Sequence, residues 1–242
     1  MAPAGAGAGG RGRWFVIAAL AAGATLLTVA IVDLSTREGG PPRIEVSGEN
    51  EAQALFGGLP QDGDRLGEGE APVSIQIFND VTCDDCSEQF LETVPGLVEE
   101  VVRDGEAQLL YRHYSFSVRA VQTGFLAAEA AAEQDYLWQY IYLFFASQEE
   151  AERVGVQGFD EFLQALAASI DELEPEQWER DFAEGAGPDG EYTQRIEEQD
   201  QVARELGLRD EPSAIVSGPS GTEILQDSPS LDRILEAVEE VQ

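Results

Sequence analysis

Val73-Ser74-Ile75-Gln76-Ile77-Phe78, then Cys83-Asp84-Asp85-Cys86, then Ser87-Glu88-Gln89-Phe90-Leu91-Glu92 is the stretch on which the fold turns. The first run alternates apolar and polar residues as a strand does, and the last opens a helical pattern. Cys83 and Cys86 are the only cysteines in the 242 residues. A strand that ends at a CxxC opening a helix sets the first sulfur at the helix N-terminus. There, free backbone N–H groups and the helix dipole favour a thiolate. The second sulfur lies one turn on, close enough to close a disulfide with the first. The pair reads as redox-active. Two other readings are weaker. Half a zinc site wants four ligands and only His113 is left over. An inert structural bridge does not account for placement at a helix start.

Outward from this stretch the pattern is regular. Phe90, Leu91, Val94, Leu97, Val98, Val101 and Val102 recur at three- and four-residue spacing, an apolar face for a sheet, with Pro95 expected to kink the helix. Gly105 ends it, and residues 107–113 form a second strand, so strand, helix and strand imply a right-handed parallel crossover. A helical block follows over residues 118–146, then helices over 159–170, 175–182 and 192–206. Residues 213–216 and 222–225 read as short strands around a Gly218–Gly221 turn. Ser228-Pro229 starts a last helix with Leu231, Ile234, Leu235, Val238 and Val241 on one face. The order is βαβ, helices, ββα.

Upstream, Trp14 to Val32 are 19 uncharged, mostly apolar residues, long enough to span a hydrocarbon core as a helix. Arg11 and Arg13 precede them, which favours a cytoplasmic N-terminus and an exported remainder. A cleaved secretory signal, with Thr28-Val29-Ala30 as its site, is the competing outcome. The expected organisation is a cytoplasmic tail (1–13), a transmembrane signal anchor (14–34), an acidic Gly/Pro-rich linker (35–70) and a folded domain (71–242) with a helical insertion at about 117–207. Within the linker, Ala52 to Leu59 is a candidate short apolar turn. Outside the cytoplasm a lone CxxC can cycle between dithiol and disulfide. Two cysteines cannot staple the domain, so it must fold on an apolar core, for which about 170 residues suffice.

The charge is extreme: 47 acidic residues against 14 basic, with no lysine and a formal net charge of −33. Such a surface repels nucleic acid and anionic head groups. Solubility explains it more simply than selection of basic substrates does, because net charge speaks mainly to solubility and association.

The βαβ–helices–ββα order with CxxC at the helix start resembles the thioredoxin fold of the DsbA-like thiol-disulfide oxidoreductases, membrane-anchored bacterial type. Gly58-Leu59-Pro60-Gln61-Asp62-Gly63, Leu66-Gly67 and Ala71-Pro72-Val73 are similar to that family's lead-in. Tyr111-Arg112-His113-Tyr114 resembles its strand after the active-site helix, and Glu133-Gln134 with Leu137-Trp138 its insertion helix. Glu211-Pro212-Ser213-Ala214 falls where the family has a cis-proline loop facing the active site. The resemblance implies an exported oxidoreductase without a cofactor, exchanging disulfides with cysteines of extracytoplasmic proteins. Its membrane redox partner would be a quinone-linked oxidase or an electron donor. Cys83 would be the nucleophile, Cys86 the resolving thiol, and Glu211, Pro212 and Ser213 the substrate-binding loop. A redox-silent thioredoxin-fold module that binds clients or a membrane partner is the alternative.

The chain departs from the family in two places. Asp84 and Asp85 lie between the cysteines, where an aromatic residue or proline and a histidine are frequent. Glu211 precedes the loop proline, where threonine or valine is frequent. Carboxylates near the sulfurs oppose a thiolate, so Asp84 and Asp85, joined by Asp80 and Glu211, are expected to stabilise the disulfide and lower the potential. His113 reads as a structural residue, and Tyr136, Trp138, Tyr140, Tyr142, Phe144 and Phe145 as helix-packing residues, some of them candidates to line an apolar groove.

Overall fold

The computed structural model describes residues 43–116 and 122–242. The expected anchor at 14–34, the expected tail before it and the start of the expected linker lie outside the described residues. Among those described, no helix is long and apolar enough to cross a membrane.

Six strands form one mixed sheet: β1 (Gln61–Asp62), β2 (Arg65–Leu66), β3 (Val73–Asn79), β4 (Ala107–His113), β5 (Ser213–Gly218) and β6 (Gly221–Leu225), in the order β1-β2-β4-β3-β5-β6. β3 and β4 run parallel from Val73↔Ala107 to Asn79↔His113, and β5 lies antiparallel on the other side of β3. Period-two patterning explains the pairing. Val73, Ile75 and Ile77, with Ala107, Leu109 and Tyr111, are buried on one face, while Gln76, Leu110 and Arg112 are only partly covered. The opposite face carries a smaller core of Phe78, Tyr114, Ala203, Leu208 and Ile215.

The crossover helix α2 (Asp84–Leu97) buries Cys86, Phe90, Val94 and Leu97 against the sheet. It runs on through Pro95 and gives way to a π turn, Val98–Val102, where Arg103 N–H reaches the Val98 carbonyl (3.0 Å). The C-terminal helix α9 (Leu231–Val241) is capped by Ser230, two residues after the expected start, and packs on β5 and α2. Its approach to α2 is close: a Cβ on Gly96 would sit 2.2 Å from Leu231.

The insertion between β4 and β5 is helical as expected, but its divisions differ. The block over 118–146 is two helices among the described residues, α3 (Thr123–Ala132) and α4 (Leu137–Ala146), separated where Asp135 takes φ 63°. A charged helix that was not expected, α5 (Gln148–Val154), precedes α6 (Phe159–Ala168), α7 (Pro175–Gly185) and α8 (Glu191–Glu205). α3 is buried all round, so it carries no amphipathic stripe. α4 brings the aromatics: Trp138 stacks on Phe90 of α2 (6.2 Å, 21°), and its indole N–H donates to the Asp64 carbonyl (3.1 Å).

The expected linker is corrected. From Ile44 the chain belongs to the same compact unit as the sheet. Glu49–Phe56 forms α1, which buries Ala52 and Phe56, with Phe56 against Trp138 and Tyr142. The β1–β2 hairpin turns at Gly63 (φ 60°), and β2 adds to the edge of β4 (Leu66↔Leu109). Three apolar anchors, Ala52, Phe56 and Leu66, hold a segment whose composition is otherwise that of a solvated tether. The folded domain therefore starts near residue 44 rather than 71.

Candidate active site

β3 ends at Asn79, and the next residue makes the turn. Asp80 is almost fully buried, and its Oδ1 accepts from both the N–H and the hydroxyl of Thr82 (2.8 Å each). Side-chain capture of the backbone two residues on is the habit of aspartate in turns. The Asp80 carbonyl accepts from Cys83 N–H (3.2 Å), and its Oδ2 accepts from Gln122 Nε2 (2.8 Å). The turn therefore delivers Cys83 to the N-cap of α2, in extended conformation, with its sulfur accepting the Cys86 N–H (3.1 Å). Both cysteines are free thiols; Cys83 is half-buried and Cys86 is wholly buried.

The two sulfurs are unlike. The Cys83 thiol is held below its ordinary range, chiefly by the hydrogen bond from the Cys86 side chain and then by the Cys86 backbone N–H. Partial burial opposes the shift, as do the carboxylates of Glu211 and Asp80. Burial pushes the Cys86 thiol far up, and hydrogen bonding to Cys83 adds to it. Negative charge thus belongs on the accessible sulfur and the proton on the buried one.

Glu211-Pro212 is a cis peptide, and Ser213 opens β5 opposite Phe78, which sets this loop beside the end of β3. Pro212 and Ser213 are buried, and Ser213 Oγ donates to the Asp210 carbonyl and carboxylate (2.9 Å each). Glu211 Oε2 accepts the Phe116 N–H (2.8 Å). Burial raises the Glu211 carboxyl; the Phe116 N–H opposes this, and Asp80 and Asp210 reinforce it.

The structure thus brings together Cys83, Cys86 and the 211–213 loop, all of which are legible in the sequence. Asp84 and Asp85 are exposed on the first turn of α2, where acids complement the helix dipole and water screens them. The carboxylates that act most on Cys83 are Glu211 and Asp80. Gln122 and Phe116 were not found in the sequence, because each meets its carboxylate only through tertiary packing. His113 is buried, its Nε2 3.1 Å from Glu129 Oε1, while Glu129 Oε2 lies 2.6 Å from Arg195. That cluster ties β4 to α3 and α8, a structural role. Trp138 and Tyr140 are core residues, whereas Phe144 also lines a hollow with Val81 and Phe159, and Phe145 one beside α2.

Comparison with known proteins gives the family and the fold. A family model described as thioredoxin matches residues 61–240. Probable disulfide bond formation protein D of Bacillus anthracis is 24% identical over 155 residues, 63% of this chain and 69% of the relative. The oxidised BdbD of Bacillus subtilis superposes with a TM-score of 0.60 at 19% identity, over 75% of this chain and 96% of that one. DsbA of Chlamydia trachomatis gives 0.56 at 19% identity, over 73% and 88%. The chain belongs to the thioredoxin family, as a DsbA-like thiol-disulfide oxidoreductase.

Proposed function

We propose that Cys83 and Cys86 exchange disulfides with cysteines of extracytoplasmic client proteins, the domain being held at the membrane by residues 14–34 with the N-terminus in the cytoplasm. The observation that carries this reading is the split between the sulfurs: a thiolate-favoured, half-buried Cys83 in front of a buried, protonated Cys86. In reduction the Cys83 thiolate attacks a client disulfide, forming a mixed disulfide and releasing one client thiolate. Cys86 then loses its proton and attacks Cys83, closing the Cys83–Cys86 disulfide and freeing the second client thiolate; two electrons pass to the client. In oxidation the steps reverse: the Cys83–Cys86 disulfide takes two electrons from a client dithiol, and two protons leave the client. Net oxidation calls for an electron acceptor such as a quinone-linked membrane oxidase, net reduction for a donor. Glu211 and Asp80 oppose the thiolate, so the couple is more reducing than a site without them. The cis Glu211–Pro212 loop holds an extended segment beside Cys83 with which client backbone pairs.

A Cys86→Ser variant expressed in its host is expected to accumulate mixed disulfides through Cys83, seen as thiol-sensitive adducts on non-reducing gels. An adduct-free Cys86→Ser variant, with function surviving serine at both cysteines, would replace exchange with the redox-silent binding module.

A further inference from the structure

Five residues, Gln226-Asp227-Ser228-Pro229-Ser230, join β6 to α9. Asp227 and Ser228 hold φ 60° and 54°, two consecutive residues with side chains in the left-handed region. That conformation is unfavourable for any residue but glycine, and aspartate tolerates it better than serine does. Such backbone persists only where its surroundings over-determine it. Here the surroundings are the two halves of the active site.

On one side the turn grips the 211–213 loop. Ser228 N–H donates to the Pro212 carbonyl (3.2 Å), and Gln226 Oε1 accepts the Arg209 N–H (3.0 Å). On the other side it is fastened to the active-site helix. Gln89, buried one turn after Cys86, donates from Nε2 to the carbonyl of buried Pro229 (3.0 Å). Gln89 Oε1 has no hydrogen-bond partner among the described residues, so this single bond is all that its amide gains from burial. An apolar side chain would occupy that place at lower cost. The Asp227 carboxyl lies against that of Asp210, which holds it above its ordinary range. That pair attracts only while one member carries a proton, so near neutral pH the grip rests on the three bonds.

α2 carries Cys83 at its N-cap, and β3 stops at Asn79, short of the sulfur. The sheet places the 211–213 loop beside the end of β3, and the turn adds a second link, from that loop to α2. We propose that residues 226–230 are a positioning brace, fastened at its ends by Gln89 and Gln226, which sets the distance between Cys83 and the loop on which the client lies. The inference rests on Cys83 as the exchanging sulfur and adds what aligns a client against it. A client held by backbone pairing brings its sulfur to Cys83 only as accurately as the loop is placed, whereas a small dithiol needs no such alignment. A misplacement of about 1 Å, caused far from the chemistry, is enough to slow a reaction by about 100-fold.

The test follows the full-length oxidised protein as its disulfide is opened by a peptide dithiol or by dithiothreitol. In each case the dithiol closes to a disulfide and passes two electrons and two protons to Cys83 and Cys86. Gln89→Met keeps the length and burial of the side chain and removes the bond to Pro229. Gln226→Ala removes the acceptor for the Arg209 N–H, and because Gln226 is only half-buried this variant reads the brace without disturbing the core. Each is expected to slow the peptide about fivefold or more while the dithiothreitol rate and the melting temperature change little. In the double variant the peptide rate should fall no further than in the slower single variant, because either cut releases the same brace. Losses that multiply in the double variant, a peptide rate that does not fall, or peptide and dithiothreitol rates that fall together each overturn the proposal. The unaltered protein is measured first: a disulfide that neither dithiol opens would overturn the exchange reading itself, so the two failures are told apart.

Discussion

At the scale of single residues, the site is a contest over one sulfur. Hydrogen bonds from Cys86 draw negative charge onto Cys83, and Glu211 and Asp80 resist it. Removing a resisting charge without removing the side chain should favour the thiolate further and destabilise the disulfide relative to the dithiol. Glu211→Gln is therefore expected to raise the redox potential by roughly 10–30 mV, read against glutathione. Asp84→Asn with Asp85→Asn should move it less, because those carboxylates stand in water. A larger shift from the aspartate pair than from Glu211 would reverse this ranking. All four carboxylates are visible in the sequence as neighbours of the CxxC or of the loop proline. Their ranking was not, because it depends on burial and on hydrogen bonds from Phe116 and Gln122, far from either motif in the chain.

At the scale of elements, the βαβ unit and the ββα ending were legible because their apolar residues repeat at two and at three to four. β4 spans the expected residues, and β3 runs one residue longer than expected. Three features escaped. The break between α3 and α4 hangs on one left-handed aspartate, α5 buries no residue, and the hairpin anchors itself through Leu66. What holds the insertion to the sheet is also tertiary. Burial alone would raise the Glu129 carboxyl, but His113 and Arg195 outweigh it and hold it below the usual carboxylate range. A carboxyl lowered by folding contributes stability above its unfolded value, and that stability drains away as pH falls through the folded value. Glu129→Gln should cost about 3–5 kcal/mol near neutral pH, since it leaves buried His113 and partly buried Arg195 without their carboxylate. The cost should shrink on acidification below about pH 4, as the unaltered carboxyl is protonated too. Urea melts of both proteins across pH 3–8 read this directly, and a pH-independent difference would contradict it.

At the scale of the whole molecule, composition misled where it was averaged over a segment. Residues 44–70 are acidic and glycine-rich, yet Phe56 and Leu66 are as buried as any core residue. The segment closes the sheet edge at β4 and packs on Trp138, so it is part of the domain. A chain beginning at Ala71 is expected to melt about 6–20 °C below one beginning at Ile44, taking a buried phenylalanine as about 3–5 kcal/mol and about 2–4 °C per kcal/mol at this size. Equal melting temperatures would restore the tether. The acidity of the surface bears mainly on solubility and association.

On the proposed reading, Cys83 and Cys86 form a working couple whose potential is held down by carboxylates. The measurement that tests it most directly is the redox equilibrium of the purified protein against glutathione, following the Cys83–Cys86 disulfide by mass. A potential well below about −120 mV, toward −200 mV, is the predicted result. A value at or above about −120 mV would contradict the role given to Glu211 and Asp80, and a pair that never exchanges would contradict the couple itself.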